Sequence, residues 1–93
     1  MKRGRVVFVS KHGGWIVVQH EDDDDATVVE LIGDEGEIAI DDRLRGNWGA
    51  DGGGKTLFSK NLGREVTTYF QGRFGHATPA IEQAQKWSGD KPS

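Results

Sequence analysis

The stretch Gly49-Ala50-Asp51-Gly52-Gly53-Gly54-Lys55-Thr56 satisfies the pattern of a phosphate-binding loop letter for letter. In such a loop backbone N–H groups cradle phosphates, the lysine reaches them and the hydroxyl holds magnesium. That chemistry needs a strand before the loop and a helix after it. Here the loop is followed by Leu57-Phe58-Ser59-Lys60-Asn61-Leu62-Gly63, too short and too rich in turn residues for the helix. No later hydrophobic strand ends in a metal-binding Asp, so the match reads as a glycine-rich hairpin loop. Residues 21–25, one Glu and four Asp, could collect a hard cation. An EF-hand register fails, because alternate positions fall on Ala26 and Val28 and the mid-loop glycine is missing. The run reads as a solvated, self-repelling loop.

Catalytic groups are sparse. His12, His20 and His76 lie far apart, without metal-ligand spacing, and there is no cysteine. No G-x-S-x-G elbow is present, and the carboxylates cluster in loops rather than in an apolar pocket that would split their pKa values. The expectation is a non-enzyme with no catalytic residue, no metal and no cofactor. The remaining lead is the interleaving of Phe8 and Trp15 with Arg5, Lys11 and His12. Rings among cations can stack nucleobases while the cations follow phosphates. On the rings alone the core of a small barrel is the favoured place for them, and strand parity does not declare which face they take.

The elements that position these residues are strands. In 93 residues Val and Ile total 13 against four Leu, and β-branched side chains suit a pleated surface. Strands are predicted over residues 5–10, 15–20, 27–32, 37–44, 55–59 and 65–71, separated by turn residues. No separator can hold a crossover helix, so the sheet is expected to be antiparallel. Ile38, Ile40 and Leu44 share one parity. The first two strands are apolar at both parities, as in a closed or two-sided arrangement. One helix is predicted near the C-terminus, with Thr78 as cap, Pro79 in the first helical position and Ile81, Ala84 and Trp87 on one face, up to Gly89. The last four residues read as a tail.

The segments Gly4-Arg5-Val6-Val7-Phe8-Val9-Ser10 and Gly14-Trp15-Ile16 resemble the first hairpin of cold-shock proteins and related OB-fold domains. Asp41-Asp42-Arg43-Leu44-Arg45-Gly46 is similar to the entry into strand four of many OB-folds. The resemblance implies an OB-like barrel, with Phe8 and Trp15 matching stacking aromatics and Lys11 near a basic position. It stops short of the third strand, where Thr27-Val28-Val29-Glu30-Leu31 carries no ring.

The expected architecture is all-β: a small OB-like antiparallel barrel of five to six strands over residues 1–76, with a C-terminal helix and tail over 77–93. An SH3-like barrel is the alternative. Fifteen acids against 12 bases give a net charge of −3, which argues against a polycation. Setting aside the acidic run leaves 12 bases and 10 acids, enough for a local basic face. Apolar runs reach four residues, so no membrane span is expected, and the cytoplasm is the default location. The expected function is a small binding module for single-stranded RNA or DNA, with Arg5, Phe8, Lys11, His12 and Trp15 as its site. A protein-interaction or accessory domain is the alternative.

Overall fold

A computed structural model describes residues 2–33, 36–48 and 53–89. Six strands, β1 (Lys2–Val9), β2 (Trp15–His20), β3 (Ala26–Leu31), β4 (Arg43–Gly46), β5 (Gly53–Ser59) and β6 (Arg64–Phe74), precede one helix, α1 (Ala77–Ser88). The strands form a closed barrel in the order β1-β2-β3-β6-β5-β4, and every neighbouring pair is antiparallel. This is the expected all-β small barrel with a C-terminal helix, compatible with an OB-like barrel.

The interior holds Val6, Ile16, Val18, Val29, Leu31, Leu44, Leu57, Val66 and Phe70, with Ile38 and Trp48 closing over them. A second apolar layer lies outside the barrel, where Val17, Ala26 and Val28 pack against Ala80 and Ala84 of α1. Strands β2 and β3 are therefore buried on both faces. The double-parity apolar pattern of β2 follows directly from this.

Three sequence expectations are corrected. The strand predicted over 37–44 is confined to Arg43–Gly46. Asp41 adopts φ 72, a left-handed turn that ends any extended run, and Ile40 stands half exposed while Ile38 is buried. Thr78 is not the helix cap. Extended His76 occupies that position without a side-chain bond, and Pro79 sits third in α1, where its missing N–H leaves no helical bond unmade. Gly89 ends the helix at φ 82, its N–H donating to the Lys86 carbonyl. The residues 21–25 are solvated but not self-repelling, because each acid except Asp24 meets a cation. Residues 49–52 of the stretch that matches a phosphate-binding loop and the tail 90–93 lie outside the described residues. Gly53, Gly54, Lys55 and Thr56 lie in β5, paired with β6, so this part of the match is strand.

Closure brings backbones close. A Cβ added to Gly4 would collide with Val18 Cγ1 and approach the Gln19 carbonyl oxygen to 3.0 Å. Gly4→Ala should therefore lower stability by about 1–3 kcal/mol, the usual penalty of overpacking, read from the urea midpoint. An unchanged midpoint would show that β2 yields freely. Removing residues 77–93 should expose Val17, Ala26 and Val28 and depress the melting temperature by several degrees. An unaltered melt would mean that the outer layer adds nothing.

Candidate functional site

The chain departs from strict alternation inside β1. Val6 pairs with Val18, but Phe8 pairs with Val17 and Val9 with Ile16, leaving Val7 as the extra residue of a β-bulge. The bulge flips the phase of the strand. Phe8, which shares parity with core residue Val6, points outward and joins Trp15 in the layer against α1. Trp87 lies 6.0 Å from the Trp15 ring and 6.4 Å from Phe74, tilted against both, and keeps 43% of its own surface exposed.

The five expected site residues thus divide among three places. Phe8 and Trp15 are half-buried beneath or beside α1. Lys11 and His12 are exposed on the β1–β2 turn, whose geometry is held by the Trp15 N–H donating to Ser10 Oγ at 3.1 Å. Arg5 belongs to a different surface.

That surface is the outside of β1, β4 and β5, which α1 does not cover. Pairing of β1 with β4 sets Arg3 directly opposite Arg45 and Arg5 directly opposite Arg43. The next pairing sets Arg45 opposite Phe58, with its guanidinium carbon 5.3 Å from the ring centroid. Lys60 follows β5, its N–H donating to the Arg43 carbonyl at 3.0 Å. Arg5, Asp41, Arg43, Lys60 and Asn61 line a groove of about 440 Å³.

Like charges opposite one another repel, and two carboxylates temper this face. Asp41 lies 3.4 Å from Arg5, and Glu21 lies 3.0 Å from Arg43 and 3.9 Å from Arg3. Among the described residues five cations therefore meet two paired acids, while Glu65 stands opposite Phe58 on β6. A chain of net negative charge carries a locally cationic face. Sequence reading saw Arg3 and Arg5 as cations flanking the first hairpin and placed only Arg5 in the expected site. Arg3, Arg43, Arg45, Phe58 and Lys60 come from three distant segments, and their only sequence signal was the Arg-x-Arg spacing repeated at 3–5 and 43–45.

The adjoining barrel mouth has mixed charge. Lys2, Arg3, His20, Asp22, Asp23, Trp48 and Arg73 help to line a cleft of about 580 Å³. At its floor Trp48 stacks on Phe70 with centroids 5.2 Å apart, and its indole N–H donates to the Lys2 carbonyl at 3.0 Å. His20 is buried, shares a 2.8 Å hydrogen bond with Thr27 and lies 3.7 Å from Asp23. Among the described residues no group of three potential ligands could hold a metal ion.

No protein-family model matches the chain, and neither a curated protein nor a solved structure does so.

Burial, and then the Arg73 guanidinium, hold the His20 pKa below the ordinary 6.5, with Asp23 and Asp25 pulling the other way. The unfolded imidazole thus takes up a proton more readily than the folded one. Stability from neutral His20 is fully present above the unfolded value and is lost as pH falls below 6.5 toward the lowered folded value. Melting curves between about pH 7.5 and about pH 5.5 should fall for the native chain and fall less for His20→Gln. Parallel curves would remove His20 as the cause.

Proposed function

We propose that this domain is a non-enzymatic binding module for single-stranded nucleic acid, and that the ligand lies on the open face of β1, β4 and β5. One observation carries the reading: the paired arginines Arg3–Arg45 and Arg5–Arg43 continue into the Phe58 ring on a surface that no other element covers among the described residues. Arginines at fixed spacing can follow phosphates, and a ring among them can stack an unpaired base. Half-exposed Tyr69, opposite Gly54 on β6, offers a second ring near the same strands. The resemblance of the first hairpin to cold-shock domains agrees with this ligand class. It points to Phe8 and Trp15, however, and their half-buried place in the apolar layer that includes α1 shifts the favoured surface to the arginine side. Lys11 and His12 would meet the ligand only where it passes the β1–β2 turn.

Titration with oligo-dT and oligo-U, followed by amide chemical shifts, should perturb Arg3, Arg5, Arg43, Arg45 and Phe58. Arg45→Ala should reduce the slope of log affinity against log salt by about 0.7, the share of one single-strand phosphate contact. Phe58→Ala should weaken binding by about 1–3 kcal/mol, the worth of one stacked base. An acidic protein partner would respond to the arginines and be indifferent to Phe58. Shift changes confined to Phe8, Trp15 and α1, or none with millimolar oligonucleotide at low salt, would overturn the assignment.

A further inference from the structure

We propose that the acidic β2–β3 turn is an internal competitor for the arginine face, and that nucleic acid binds by displacing the Glu21 carboxylate from Arg43 and Arg3. The inference rests on the nucleic-acid reading above and adds the regulation of that same surface.

Glu21 is the first residue after β2, and its N–H donates to the Arg3 carbonyl at 3.1 Å, which fixes its backbone against β1. From there one carboxylate oxygen reaches Arg43 Nε at 3.0 Å and the other lies 3.9 Å from Arg3 Nε. A single carboxylate thereby bridges two strands of the proposed binding surface, the position a phosphodiester would take with its own two free oxygens. Glu21 belongs to the β2–β3 turn and Asp41 to the chain entering β4, so the two counter-ions come from separate segments and only Glu21 bridges two strands.

The rest of the turn is docked independently of Glu21. Asp22 lies 3.2 Å from Lys2, Asp23 lies 3.5 Å from Arg73, and Asp25 accepts from Arg73 Nε at 2.7 Å. The Asp25 N–H donates to Asp23 Oδ1, and the His20 N–H donates to the Asp25 carbonyl. Releasing Glu21 therefore requires a side chain to swing, not the turn to unfold. The contacts to be broken are weak, because Glu21, Arg43 and Arg3 side chains keep 35%, 38% and 60% of their surface in water. Exposed pairs of this kind are screened by salt and exchange readily for another anion. A ligand carrying several phosphates replaces the bridge at several cations at once, whereas a single phosphate competes poorly.

Asp24 separates this mechanism from simple net charge. It carries the same charge on the same turn and makes no ion pair among the described residues. Affinity for fluorescein-labelled oligo-dT is measured for the native chain, Glu21→Gln and Asp24→Asn, at low and at physiological salt, with melting curves to verify folding. Glu21→Gln should tighten binding about fivefold at low salt, the scale of two exposed pairs, and Asp24→Asn by less than about twofold. The Glu21→Gln advantage should shrink as salt rises. Binding by Glu21→Gln where the native chain shows none would also support the competitor. Equal gains in the two variants, or native binding without a gain in Glu21→Gln, would overturn the competitor and leave the binding surface standing. Absence of binding in all three proteins would overturn the nucleic-acid reading itself.

Discussion

Closure of the sheet through β1 is the constraint on which the other features depend. β1 pairs with β2 along one edge and β4 along the other, so a single strand of eight residues joins both ends of the sheet. Closure gives every strand an inside and an outside and leaves no edge to template further pairing. It also tolerates little bulk where backbones approach. Gly4 sits within this double pairing, opposite Leu44 and His20, and Gly46 faces Leu57 in the same way.

A second constraint shapes the corner that feeds β4. Asp42 is fully buried, accepting from Ser59 Oγ at 2.5 Å and from the Asn61 N–H at 3.0 Å, while Ser59 Oγ accepts from the Leu62 N–H. The backbone beside it joins β1, with the Val6 N–H donating to the Asp42 carbonyl and the Asp41 N–H donating to the Val6 carbonyl. A buried carboxylate is tolerated only when its oxygens are satisfied, and these bonds tie β1, the β4 approach and the β5–β6 turn into one unit. The left-handed turn at Asp41 delivers Arg43 opposite Arg5.

The outside of the barrel is then divided by one helix. α1 covers the apolar outer residues of β2 and β3, and Phe74, Phe8 and Trp15 pack in the same layer, with Trp87 of the helix against Trp15. The arginine side stays open. The acidic turn lies between the two regions and spends its charge on Lys2, Arg3, Arg43 and Arg73, so a run that looks repulsive in isolation acts as a set of counter-ions. Each exposed pair contributes little by itself, which keeps the arrangement responsive to salt and to competing anions.

Much of the architecture was legible from local patterns. The β-branched content, the spacing of glycine and asparagine turns and the apolar double parity of the second strand all encode strands, and β2 falls on the predicted residues 15–20. The helix was visible in Ile81, Ala84 and the Gly89 stop, though its first turn was not, since extended His76 carries no capping side-chain bond. Ile38 and Ile40 look equivalent in sequence, yet only the first is buried, because alternation has no knowledge of a φ of 72 at Asp41. The same holds for Phe8. Its parity matches Val6 until the bulge at Val7 reverses it, and a bulge depends on the partner strand rather than on β1 alone. Turn chemistry and side-chain shape thus act within a few residues and fixed the all-β class and most of the strand positions. Which face each ring and cation occupies was decided by long-range register, which set Arg3 against Arg45 across 42 positions of chain through hydrogen bonds between backbones, not through any property of the arginines themselves.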